Sequence, residues 1–269
     1  MAKLRALVLA GIGAASCGRA SAADLPPAPV LPPPSPGETE FSGWYLRGDA
    51  GGGVNAANPQ LGVAPLPLAT PAAIPTLSHS SLSPFGAVDV GVGYQPTGWF
   101  RADATIEYRG GASLQSGAAA YSWQAPSQDA VAFHADASSF IGLFNGYVAP
   151  GVWYGLSPFL GASIGFADNR LASVSATAPR WYGHFAAGAR TSIAWAAMAG
   201  VDCELTANLK LELSYRYLSY GTVTTNGPEG YSGLAGAISS RNRLASNDFR
   251  LGLIYLIGDA SPPPAPNLD

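Results

Sequence analysis

Between Trp99 and Arg109 the chain alternates without a miss. Phe100, Ala102, Ala104, Ile106 and Tyr108 fall on one parity, and Arg101, Asp103, Thr105, Glu107 and Arg109 on the other. Only an extended backbone places residues two apart on one face; helical spacing would scatter these charges around a cylinder. The same split recurs twice. Leu209, Leu211, Leu213, Tyr215 and Tyr217 oppose Lys210, Glu212, Ser214 and Arg216, and Phe249, Leu251, Leu253, Tyr255 and Ile257 oppose Asp248 and Arg250. One face wholly apolar and one carrying charges of both signs is the constraint that any fold of this chain must satisfy.

Five further segments show the pattern more weakly. Trp44–Val54 sets Arg47, Asp49 and Gly51 against Leu46, Ala50 and Val54, and Gly86–Tyr94 sets Asp89, Gly91 and Gly93 against Val88, Val90, Val92 and Tyr94. Ser139–Val148, Pro158–Ala167 and Thr191–Cys203 complete a set of eight. Segments of about ten residues, tilted, match a bilayer crossing. The 33 glycines disfavour helices, since each costs roughly 1 kcal/mol in a helix interior. At 48% hydrophobic residues the chain is too apolar for disorder.

Connections decide the architecture. Gln95-Pro96-Thr97-Gly98, Pro150–Ser157 and Glu204–Asn208 are short, whereas 55–85, 110–138, 168–190 and 220–246 are long. Short and long alternate strictly, as in an up-and-down barrel with periplasmic turns and extracellular loops. A secreted sandwich with turns every eight to twelve residues predicts no such alternation. The expected fold is all-β: an eight-stranded up-and-down antiparallel transmembrane β-barrel over 41–257. The uncharged run Ala137–Ala167 is long enough for a membrane helix, but Pro150 and Pro158 bracket a Gly151–Gly155 turn that splits it into two strands. Residues 55–85, with Pro59, Pro65, Pro67, Pro71 and Pro75, are expected to build no strand and to face the cell exterior.

The ends read separately. Lys3 and Arg5, the apolar run Ala6–Ser16 and the Ala20-Ser21-Ala22 site mark residues 1–22 as a cleaved export signal, too short for a membrane anchor. A lipoprotein reading of Cys17 lacks the bulky aliphatic residue that its motif needs. Residues 23–40 form a Pro-rich periplasmic linker, and 258–269 a Pro-rich tail. Loss of Lys3, Arg5 and Arg19 leaves 11 basic residues against 17 acidic ones, a net charge of −6, which argues against nucleic-acid binding. The remaining cysteine, Cys203, is expected to be a packing residue.

The charges opposite the apolar faces form the candidate site. Arg47, Arg101, Arg109, Lys210, Arg216 and Arg250 meet Asp49, Asp89, Asp103, Glu107, Glu212 and Asp248. The interior of a small barrel is filled by side chains, so a structural ion-pair network plugging the lumen is expected, with Arg101 and Arg109 held by Asp49, Asp89 or Glu107. No nucleophile elbow is read, because the Gly-x-Ser-x-Gly match at Gly161–Gly165 lies inside the Pro158–Ala167 strand; His-Glu-x-x-His and phosphate-loop patterns are missing, and His79, His134 and His184 sit at no ligand spacing. No catalytic residue, metal or cofactor is expected. Trp44, Tyr45, Trp99, Trp153, Tyr154 and Tyr255, near strand ends, are expected in interfacial aromatic girdles.

Several short motifs also look familiar as an ordered set. Gly43-Trp44-Tyr45-Leu46-Arg47-Gly48-Asp49, Trp99-Phe100-Arg101-Ala102-Asp103, Asn145-Gly146-Tyr147, Met198-Ala199-Gly200-Val201, Asn208-Leu209-Lys210-Leu211 and Tyr215-Arg216-Tyr217-Leu218 resemble the alphaproteobacterial small outer-membrane β-barrel proteins of the porin-opacity type. The resemblance implies an eight-stranded barrel in a Gram-negative outer membrane, with exposed loops and periplasmic termini. Members often end on a terminal aromatic residue; here Ile257 closes the last strand and a tail follows. The expectation is a non-enzymatic barrel serving envelope integrity and surface contact as a surface antigen. Outer-membrane lipid and extracellular or host ligands of the loops would be its partners, and a monomer its state. The alternative is a narrow porin for small solutes.

Overall fold

The computed structural model describes residues 42–56, 61–63, 77–121, 128–178, 181–225, 228–229, 238–240 and 243–257. The expected export signal, Pro-rich linker and tail lie outside them, as do Pro59, Pro65, Pro67, Pro71 and Pro75. Eight long strands carry the fold: β1 (Gly43–Asn55), β2 (Phe85–Thr97), β3 (Phe100–Tyr121), β4 (Gln128–Val148), β5 (Leu156–Leu171), β6 (Gly188–Glu204), β7 (Leu209–Gly221) and β8 (Leu244–Ile257). Each pairs antiparallel with its neighbour in the chain, and β8 closes on β1 from Trp44↔Ile257 to Asn55↔Ser246. Closure leaves no unpaired edge within the wall, the condition for a sheet in hydrocarbon. The run Ala137–Ala167 is a β4–turn–β5 hairpin, and no helix among the described residues is long enough to cross a membrane.

One end is tightly turned. Gly98 and Trp99 join β2 to β3, the Phe100 amide donating to Thr97 Oγ1 at 3.2 Å. The β4–β5 connection reverses through Tyr154 (φ 52°) and Gly155 (φ 80°), with Trp153 and Leu156 paired.

The other end differs from the sequence expectation. Residues 110–138 were expected to be loop, yet β3 and β4 stay paired to Tyr121↔Gln128, past a bulge between Arg109 and Ala112. The reason is a second period-two stripe: Ala112, Leu114, Phe133 and Ala135 are all buried. Residues 55–85 were expected to build no strand, yet Leu77–Leu82 pairs with β3 and Leu61–Val63 with Ile238–Ser240. These two segments contain no proline; the prolines flank them. Val174–Ala178 and Trp181–Phe185 form a further hairpin on β4, placing Phe185 6.3 Å from Phe133. His134 and His184 therefore sit on strands and point away from that apolar side.

Parity along the wall follows the alternation read from sequence. Val90, Ile106, Leu160, Phe166 and Phe249 are each about two thirds exposed, as a lipid-facing belt requires. The intervening residues point inward, and most are buried.

Candidate functional site

Strand register gathers five of the seven inward carboxylates into one row. Asp202 lies opposite Glu212, Glu212 opposite Gly252, Gly252 opposite Asp49, Asp49 opposite Asp89, and Asp89 opposite Glu107. Like charges directly opposite each other are destabilising, so this row holds only if cations lie between its members. Gly252 supplies the room: a Cβ there would fall 2.1 Å from Asp49 Oδ1.

Five arginines provide the cations. Arg47 binds Asp49 (2.8 Å), Asp103 (2.9 Å) and Glu212 (3.1 Å). Arg101 bridges Asp202 and Glu212, the latter at 2.7 Å. Arg109 reaches Glu107 at 2.5 Å and also Asp248. Arg216 contacts the same two carboxylates at 2.7 and 2.8 Å. Arg250 engages Asp89 and lies 3.5 Å from Asp49, which joins the Arg47 cluster to the Glu107 cluster. Neutral groups add further hydrogen bonds around Asp103 and Arg47. Tyr45 donates to Asp103 at 2.9 Å, Asn145 donates to Asp103 at 2.5 Å, and Arg47 donates to the Tyr147 hydroxyl. Every one of these charged side chains is buried, most of them almost completely.

Four sequence expectations change here. Lys210 does not join the network; it lies at the tight-turn rim and pairs with exposed Glu204 at 3.2 Å. Asp202, which the alternation did not single out, takes a place inside. Its signal was available, because it shares inward parity with Ala194, Ala196 and Met198 in an otherwise uncharged stretch of β6. Arg101 is held by Asp202 and Glu212 rather than by Asp49, Asp89 or Glu107. Tyr45 also leaves the girdle: it shares Arg47's parity and is fully buried, whereas Trp44, Trp99, Trp153, Tyr154 and Tyr255 are exposed.

Toward the long connections the lumen turns apolar. Arg109 marks the boundary, its guanidinium 4.5 Å from the Phe85 ring and 5.2 Å from Tyr220. Beyond it the chain folds inward after β7. Gly221 takes φ +97°, where a Cβ would strike Ser192, and Val223 and Thr225 are buried in the mouth. Asn169, fully buried, accepts from Ser139 and donates to the Tyr220 carbonyl, each at 2.7 Å, tying this segment to the wall. The remaining cavity, lined by Phe85, Arg109, Leu114, Leu171, Tyr220 and Val223, measures about 30 Å³, enough for one or two waters. Among the described residues no group of three or more His, Cys, Asp or Glu side chains is placed to hold a metal.

Comparison with known proteins agrees with this geometry. The sequence profile of the outer membrane protein β-barrel domain matches residues 7–255. Outer membrane protein PagN of Salmonella typhimurium (strain LT2) is 25% identical over 99 residues, which cover 37% of this chain and 41% of that protein. This chain thus aligns with less than half of that relative. Among solved structures, the outer membrane protein OprG from Pseudomonas aeruginosa superposes with a TM-score of 0.50 at 9% identity, covering 82% of this chain and 99% of its own. Neisserial surface protein A gives 0.46 at 16% identity, covering 80% and 98%. At these identities the likeness concerns the fold. The chain belongs to the outer membrane protein β-barrel family, and its location is the outer membrane.

Proposed function

We propose that this member of the outer membrane β-barrel family is a non-enzymatic, non-conducting envelope protein. Its sealed barrel presents the long connections to the exterior and keeps both termini in the periplasm. On this reading residues 1–22 are removed on export, and the mature chain acts as a monomer in outer-membrane lipid that meets extracellular ligands through its loops. The observation that carries the proposal is the doubly closed lumen. Five arginines bridge the carboxylates of one half, and Tyr220 and Val223 fill the other. A water path would have to displace buried ion pairs, each member of which loses several kcal/mol of hydration in a confined site.

Two measurements test this reading. Reconstituted into planar bilayers, the mature chain should give no stepwise conductance. Steady unitary currents would hand the function to the porin alternative, and the interior's seven carboxylates against five guanidiniums would make those currents cation-selective. For orientation, Ser173 and Thr206 are exposed at opposite ends. In a Cys203→Ser background, Ser173→Cys should react with an impermeant maleimide on intact cells, and Thr206→Cys only after the membrane is breached. The reverse pattern would invert the topology.

A further inference from the structure

On the outer wall of β3–β6, three successive rungs of the ladder change character. The lowest, Ile106, Gly142, Phe166 and Ile193, is apolar, and its three large side chains are 58–68% exposed. The next, Tyr108, Phe140, Asp168 and Thr191, is aromatic on one side and polar on the other. The third brings Arg170 between Ser138 and Ala189. Rungs on one face lie about 6.6 Å apart, so the passage from apolar contact to a full charge takes about 13 Å along the strands, close to half the hydrocarbon thickness.

Arg170 stands in a basin of small residues. Gly111, Ser138, Ala172, Ala187 and Ala189 line a concavity of about 810 Å³ around it, opened where the β3 bulge breaks the pairing and Gly111 adopts φ +80°. The arginine is aimed rather than buried. Its Nε donates to Asp168 at 2.9 Å, and its guanidinium lies 5.5 Å from the Phe140 ring, itself 4.9 Å from Tyr108. Nη1 and Nη2 make no hydrogen bond to a described residue, which leaves a fork suited to phosphate oxygens. Asp168 and Asp136 also border the site. Exposed pairs such as Arg170–Asp168 are weak and exchange readily for a doubly charged phosphate.

We propose that this basin is a site for the phosphorylated head group of an outer-leaflet glycolipid, with Arg170 as its phosphate ligand. A lipid is favoured over free phosphate because the basin opens directly above the apolar rung. Acyl chains would lie on Ile106, Phe166 and Ile193 while the head group occupies the concavity. The inference rests on the long connections facing outward, which places Arg170 in the outer leaflet.

The test uses the folded mature chain in mild detergent, with native mass spectrometry as readout. The probes are bis-phosphorylated lipid A, the same lipid A with its phosphates removed, and inorganic phosphate. The wild type should hold the phosphorylated lipid about tenfold more tightly than the dephosphorylated one. Arg170→Gln should lose that preference and Arg170→Lys should recover part of it. Ala189→Trp, which fills the basin with Arg170 intact, should weaken binding too, whereas Lys210→Gln at the opposite rim should not. Retained heat-modifiable migration certifies that each variant is folded. Equal binding of the two lipids, an unchanged Arg170→Gln, or displacement of the lipid by millimolar phosphate would each overturn the proposal. Binding in detergent is blind to orientation, so the maleimide experiment judges the topology separately.

Discussion

The two halves of the lumen are built from the same eight strands and filled by opposite means. Toward the tight turns Arg47, Asp49, Glu107, Glu212 and Arg216 interlock against a wall of Tyr147, Phe159 and Met198; toward the long connections Leu114, Phe133, Leu171, Val174, Phe185 and Leu244 pack as in a soluble core. The difference is one of failure mode. In a packed apolar half the cost of a change scales with the volume removed and the ability of the site to collapse. In a paired ionic half it scales with the charge left unmatched, whatever the volume. A substitution that preserves shape should therefore be mild in one half and severe in the other.

The largest effect is expected at Glu107, which holds Arg109 and Arg216 together. Glu107→Ala should cost about 3–5 kcal/mol in urea unfolding from lipid vesicles, because two guanidiniums lose a buried partner. Glu107→Gln, nearly the same shape, should recover less than half of that loss. A cost under roughly 1 kcal/mol would mean that water reaches the network and that the two halves do not differ in kind.

Next is a change on the opposite face of the same strand. Ile106 is 68% exposed on the wall, and Ile106→Arg should cost about 2–4 kcal/mol near the bilayer midplane. A neutral outcome in vesicles would show that β3 does not present this face to lipid.

Leu171 probes the apolar half. It lines the small cavity and is 2% exposed, so Leu171→Ala should cost about 2–3 kcal/mol, the lower part of the usual range because the lining has room to relax. Leu171→Met should cost less than about 1.5 kcal/mol. If Leu171→Met proves as damaging as Glu107→Gln, shape rather than charge governs both halves and the contrast fails.

The smallest effect belongs to Lys210, whose partner Glu204 is exposed. Lys210→Ala should shift stability by less than about 1 kcal/mol. A loss of several kcal/mol would return Lys210 to the interior network.

How far the sequence reaches is clear from particular residues. The alternation Phe100–Arg109 and its two counterparts settled strand character, the inward parity of Arg101, Arg109, Arg216 and Arg250, and, with the alternating connection lengths, closure into eight strands. Tyr45 shows a reading that strict parity would have improved, since it is two residues from Arg47. The extension of β3 and β4 was less legible, because Ala112, Leu114, Phe133 and Ala135 are spaced by small and polar residues that also suit loops.

Parity is a property of the local backbone: successive side chains of an extended chain must point to opposite sides, whatever the chain later meets. Register is not local. That Asp49 stands opposite Asp89 and Asp89 opposite Glu107, that Asp202 shares Arg101 with Glu212, and that Lys210 is left at the rim all depend on how far each strand slides past the next before the barrel closes. Composition and alternation thus determined that charges would face inward, while only the closed structure decided which carboxylate each arginine holds.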